Sequence, residues 1–265
     1  MRNITLVFFI LCGFCLTANA QGTFQPKQYE SDFNVGVVYN TERTFDARFH
    51  TNGWAVGVNM AKIKTYYLTR YVHIGLGELK HHKEQRVNLE RPTGRGAISR
   101  SFIYGKQNNL FALRAGIGEK RLLSEKARRK GVAVGYSYEL GASLGMLKPY
   151  YLELNRNPDL PGSIDTYSAK YSPEIHGSFL NEWDIVGSSG WSTGLSEIAF
   201  RPGIQGQIAT HFDWGAFDEY VKALEVGIMF DLFLGKTDIL VPVEGVENRP
   251  LFVNLFVNLQ LGKRR

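Results

Sequence analysis

Thiols are scarce in this chain: its two cysteines, Cys12 and Cys15, both stand near the N-terminus. They fall in a segment that reads as an export signal. Met1-Arg2-Asn3 supplies a positive charge, residues 4–16 an apolar core, and Ala18-Asn19-Ala20 a small-x-small cleavage site before Gln21. Neither cysteine follows the small residues of a lipoprotein site, so lipid anchoring is not expected. Residues 1–20 are thus expected to be a signal peptide, leaving residues 21–265 without a thiol for a disulfide, a metal or a nucleophile. Long hydrophobic runs are lacking too. The apolar core of the signal is too short for a spanning helix, and no later segment reaches 18 consecutive apolar residues, which excludes helical membrane spanning. Linkers, heptads, low-complexity tracts and fixed-period repeats are absent, so residues 21–265 read as one domain. The formal charge of +6 is modest and its basic clusters are short. In an exported chain that gives no footprint for nucleic acid.

What the chain has in quantity is alternation. Leu251, Val253, Leu255, Val257, Leu259 and Leu261 share one face at period two, opposite Phe252, Asn254, Phe256, Asn258 and Gln260. Residues 132–146 repeat the pattern with a sharper contrast. Val132, Val134, Tyr136, Tyr138, Leu140 and Leu144 point one way, while Ala133, Gly135, Ser137, Glu139, Gly141, Ser143 and Gly145 point the other. A soluble sandwich packs its large aliphatics inside and seldom spends so many glycines on its solvent face. A narrow barrel needs small and polar residues inward, with lipid taking the bulky ones.

The same period marks strands over residues 33–40, 45–50, 54–61, 64–79, 101–104, 111–118, 200–214 and 224–234. Tight turns are expected at Thr41-Glu42-Arg43 and Thr51-Asn52-Gly53. The expected fold is all-β, a transmembrane antiparallel up-and-down β-barrel of about ten strands. It becomes twelve if residues 150–154 and part of 163–171 join. Ten strands place the Asn52-Gly53, 119–130 and Gly215-Ala216 turns at the periplasmic end with the long 80–96 loop, and the 155–197 and 235–250 loops outside. The 155–197 stretch is expected to be an outer loop with a short helix, or a plug. Pro202 suggests a bulge or an irregular entry, and Arg70 a rim position.

The inward face so predicted carries Asp46, Arg48, His50, Arg114, Glu139, Arg201, His211, Asp213, Glu225 and Asp231. Opposite charges at this density suit a structural ion-pair network filling the lumen, with a narrow solute channel as the alternative. An outer-membrane lipid acyl hydrolase is the enzymatic alternative. It needs a base beside a nucleophile, for which His176 with Ser178 and His211 with Asp213 are the candidates by spacing, and neither is specific. No catalytic set is assigned. His81-His82 lie in an extended loop, where adjacent side chains point apart, so no metal site is expected. Lys126-Ala-Arg-Arg-Lys130 and Lys263-Arg264-Arg265 read as solvated turns, or as contacts to anionic headgroups or an acidic periplasmic partner.

Several stretches carry a resemblance: Arg43-Thr-Phe-Asp with Thr51-Asn-Gly, Gly77-Glu-Leu-Lys-His, Tyr104-Gly-Lys-Gln-Asn-Asn, Leu147-Lys-Pro-Tyr-Tyr-Leu-Glu, Phe200-Arg-Pro-Gly and Leu261-Gly-Lys-Arg. The chain resembles the small outer-membrane β-barrel proteins of Bacteroidota-type Gram-negative bacteria. That resemblance implies the fold and an outer-membrane location, and no activity. The expectation is a non-enzymatic envelope barrel with a largely filled lumen and no cofactor, acting as a structural or partner-docking component accessory to export or assembly. Its partners would be outer-membrane lipids and another envelope or secretion protein.

Overall fold

The computed structural model describes residues 39–89, 99–124, 131–156, 165–216, 218–243 and 245–265. The expected signal peptide, the 33–38 part of the first expected strand and the Lys126–Lys130 cluster lie outside the described residues.

Eight strands form a closed antiparallel barrel: β1 (Thr41–His50), β2 (Gly53–Ile63), β3 (Leu68–Leu79), β6 (Asn108–Leu122), β7 (Ala133–Pro149), β11 (Ala199–Asp213), β12 (Tyr220–Phe233) and β13 (Leu251–Arg264). Each pairs with the next in the chain, and β13 pairs back onto β1, from Glu42 opposite Arg264 to His50 opposite Phe256. The alternation seen in the sequence becomes inside and outside. On β13 every second residue from Phe252 to Gln260 is buried, and Leu251 through Leu261 on the other face are exposed.

The strand number is eight rather than ten, because β1 already has β2 on one side and β13 on the other. Of the expected 33–40 strand only Tyr39 and Asn40 are described, and they precede β1. Thr41-Glu42-Arg43 is the start of β1, not a turn, in register with Lys62, Ala61 and Met60. Residues 101–104 give only β5 (Phe102–Ile103), paired with β4 (Arg86–Val87) outside the barrel. Residues 150–154 and 166–170 enter a separate sheet, ordered β10 (Ile185–Ser188), β8 (Tyr151–Asn155), β9 (Thr166–Lys170). Alternation marks an extended chain with two unlike faces. It does not say which sheet the chain joins.

Losing those two strands also changes which turns share an end. The 64–67, 123–132 and 214–219 connections lie at one end. The Thr51-Asn52 turn lies at the other, together with the long 80–107, 150–198 and 234–250 connections. The 80–96 loop therefore keeps company with the other long loops. Pro202 makes no bulge: β11 runs in register against β7 through it, opposite Leu144. Its carbonyl accepts from Leu234 on the β12 side, so its missing N–H falls where β12 has ended.

The long-loop end carries its own small core. Phe102, Leu152, Leu154, Phe179 and Ile185 pack around Val241, with Phe179 supplied by the short helix α1 (His176–Leu180). The plug comes from the 234–250 loop, not from 155–197. Ile239 and Leu240 pack against Leu79, Leu110, Leu147, Phe233 and Phe252 at the barrel mouth. The Ile239 carbonyl accepts from the N–H groups of Gln107 and Asn108, and the Val241 N–H donates to Gly105. Burying each of these aliphatic side chains is worth ~1.5–3 kcal/mol, which holds the loop in the mouth.

Candidate functional site in the lumen

An eight-stranded barrel has an interior that side chains just fill. Here they fill it in layers of charge. Nearest the short turns, Lys120 Nζ lies 3.2 Å from Glu42 Oε1 and donates to Gln260 Oε1 at 2.7 Å. Arg264 joins Glu42 to Asp213, at 2.9 and 2.7 Å, and also donates to the Gly215 carbonyl. One layer further in, Glu225 accepts from Ser137, Asn258 and Gln260 and faces His211 Nδ1 at 3.1 Å.

At mid-barrel Glu139 accepts from Gln205 and Gln207 at 2.7 and 2.8 Å. His73 stands between two carboxylates, Nδ1 3.0 Å from Glu139 and Nε2 3.6 Å from Asp46. Nδ1 hydrogen-bonds Glu139, while Nε2 faces Asp46 without a hydrogen bond. Above this layer Arg114 makes a two-point contact with Asp231, while Arg48 lies 3.9 Å from Asp46 and 4.9 Å over the Phe256 ring. Six lumen carboxylates, Glu42, Asp46, Glu139, Asp213, Glu225 and Asp231, meet the cations Arg48, Arg114, Lys120 and Arg264. His73 and His211 stand among them, each facing a carboxylate.

Of the residues singled out in the sequence, Asp46, Arg48, His50, Arg114, Glu139, His211, Asp213, Glu225 and Asp231 are buried in the lumen. Arg201 is not. It is only half-buried near the mouth and joins no ion pair among the described residues. Glu42, His73, Lys120 and Arg264 were missed. Glu42 and Lys120 sit in stretches that read as turns, and Arg264 in what reads as a solvated tail. Extending the alternation by two residues would have found Lys120 and Arg264, and by three residues Glu42. Lys263, next to Arg264, points outward and pairs with Glu219 at 2.7 Å. Arg70 pairs with Glu119 at 2.7 Å on the outer surface near the short-turn end, a rim position.

The hydrolase candidates are not brought together. His176 and Ser178 are two apart on α1 and do not share a face, and His176 Nδ1 meets the Tyr171 hydroxyl at 3.1 Å. His211 faces Glu225, and Asp213 is taken by Arg264. His81 and His82 do not point apart: their rings stack with centroids 4.4 Å apart.

The class defined by this geometry is a closed eight-stranded antiparallel barrel, apolar outside and ion-paired within. No family model matches the chain, and no curated protein matches it. Among solved structures the chain is similar to the crystal structure of Neisserial surface protein A, at 10% identity and a TM-score of 0.32, over 85% of this chain and 93% of that one.

Proposed function

We propose that this protein is an integral outer-membrane barrel with a closed lumen, a non-enzymatic structural or partner-docking component of the cell envelope. The observation that carries the reading is the exposed belt. Phe45, Met60, Ile74, Ile117, Leu140, Ile208, Ile228 and Leu255, from every part of the ring, are all exposed, Ile117 at 70% and Leu140 at 61%. Soluble monomers rarely show contiguous apolar patches beyond a few hundred Å². A bilayer makes such a belt favourable, and a closed ring leaves no unpaired strand edge in it. Exposed Trp214 and Tyr220 at one end and Trp54 at the other fit interfacial girdles.

Short turns on one side and long connections on the other set the long-loop end outward, by the usual habit of such barrels. The small core there, with Trp183 exposed above it, is then the surface offered to a partner. The resemblance to Bacteroidota-type barrels supports a Gram-negative envelope, with export or assembly as the setting. Purification with and without surfactant tests the reading. The folded chain should need detergent and migrate anomalously on gels until heated, and it should pass no steady ohmic current in a planar bilayer. A monodisperse protein in plain buffer overturns the membrane reading. Steady current overturns the closed lumen and favours the narrow channel.

A further inference from the structure

Between the long-loop core and the outer wall of the barrel lies a cavity of about 1050 Å³. Its floor is the outward face of four neighbouring strands: Trp54 on β2, Leu76 on β3, Phe111 on β6 and Met146 on β7. These are the same faces that, lower down, form the apolar belt. Its opposite side is polar and basic, with Arg86, Arg100, Ser189 and Thr193 beside Trp191 and Tyr151.

Lys148 is the residue that points to a ligand. It belongs to the outward-facing set of β7, yet it is only 3% exposed because the connection before β11 folds over it. Its ammonium lies 5.3 Å from the Trp191 ring centre, and it lines the cavity with no carboxylate in ion-pair range among the described residues. Arg86 and Arg100 likewise pair with no described carboxylate. The two acids in the lining, Glu78 and Glu84, are engaged by Lys80 at 3.6 Å and Lys106 at 2.9 Å. A buried cation held in a cavity with two further cations and only engaged acids is the electrostatic shape of an anion site. A hydrocarbon floor continuous with the barrel exterior adds a requirement. The anion must carry an apolar tail.

We propose that this cavity binds the phosphorylated headgroup of a membrane glycolipid. The phosphate sits on Lys148, Arg86 and Arg100, a sugar ring rests against Trp191 and the hydroxyl-bearing rim, and an acyl chain runs down Leu76, Phe111 and Met146. Arginine and lysine suit phosphate, and flat aromatic faces with nearby hydroxyls suit a sugar. This inference rests on the barrel being embedded in a membrane. The short-turn end has a groove too, with Arg43, Lys62, Lys64 and Arg70 above Met60 and Val72, but those cations are exposed. It lacks a buried cation like Lys148.

The test uses the full chain, folded in detergent and titrated with a bis-phosphorylated acylated glucosamine disaccharide, with retained mass read by native mass spectrometry. One glycolipid should bind per barrel, and its dephosphorylated counterpart about tenfold or more weakly. The double variant Lys148→Gln/Arg100→Gln should lose binding to the same degree, while Arg43→Gln/Lys62→Gln at the opposite rim keeps it. Heat-modifiable migration of each variant reports folding. Equal binding of phosphorylated and dephosphorylated lipid by a folded barrel overturns the proposal, as does undiminished binding by the folded Lys148/Arg100 variant. A water-soluble sugar phosphate that binds as tightly as the lipid overturns the lipid assignment. A chain that proves soluble without surfactant instead overturns the membrane reading beneath it.

Discussion

Arg114 on β6 and Asp231 on β12 clasp each other across the lumen, with two strands between them on the ring, Nε–Oδ1 at 2.8 Å and Nη2–Oδ2 at 2.9 Å. Both are almost wholly buried, at 1% and 0% side-chain exposure. Removing one partner leaves a charge with nowhere to go, a loss of ~3–5 kcal/mol, whereas replacing both with apolar groups is often neutral. Asp231→Ala should therefore lower the unfolding free energy in detergent by ~3–5 kcal/mol. Arg114→Leu/Asp231→Leu should restore most of it. Urea titration of the folded barrel measures both, and equal losses in the single and double variants would contradict the ion-pair account.

The outer belt offers the opposite experiment. Leu140 is near the middle of β7 and faces outward. If hydrocarbon covers it, Leu140→Arg costs ~2–4 kcal/mol when unfolding is measured from bilayers. Were water its solvent, the same change would be neutral within ~0.5 kcal/mol, as surface substitutions usually are.

Gly116 and Gly141 face each other on β6 and β7. A methyl group at Gly116 would run into Glu139 Oε1 and Gln205 Nε2, displacing the carboxylate that His73 and Gln205 share. Overpacking of this kind costs ~1–3 kcal/mol, so Gly116→Ala should lower the denaturation midpoint. Gly177 on α1 has open space where its Cβ would lie. Gly177→Ala should be neutral or stabilising by up to ~1 kcal/mol.

His81 ties two of the long loops together. Its Nδ1 accepts from the Lys83 N–H at 3.2 Å, so Nε2 carries the proton and donates to the Glu247 carbonyl at 3.3 Å. Burial holds its pKa below the usual imidazole value, opposed in part by Glu247 and Glu84 and aided by His82 and Lys83. A base with a depressed folded pKa stabilises the fold fully above its unfolded value of about 6.5, and that contribution fades as pH falls through the folded pKa. Amide exchange in residues 81–84 and 245–249, corrected for intrinsic pH dependence, should rise over that window while β6 and β7 stay protected. His81→Gln should flatten the profile.

How much of this was legible beforehand depends on what alternation encodes. The inward and outward faces of β7, β12 and β13 could be read residue by residue, because an apolar belt and a polar lumen stamp period two on the sequence. Closure could not be read. Residues 101–104 and 150–154 alternate as barrel strands do, and only the pairing of β1 with β13 shows that the ring is complete without them. Charge at the strand ends misled in the other direction. Glu42, Lys120 and Arg264 look like turn and tail residues because polarity is the usual mark of a turn. Here polarity continues inward as a three-residue cluster bridging β1, β6 and β13. The cavity under Trp191 left no mark at all, since Lys148 reads as an ordinary charged residue beside a proline.

The seam between β1 and β13 joins residues far apart along the chain, Glu42 and Arg264 being separated by 222 positions. Until β13 arrives, β1 and β12 each present a row of bare amide and carbonyl groups, which hydrocarbon tolerates worse than water does. A half-built sheet therefore has no comfortable resting place in a bilayer. In the proposed membrane setting, insertion waits for the final strand, and the nascent ribbon needs shielding until the ring can snap shut in one cooperative event.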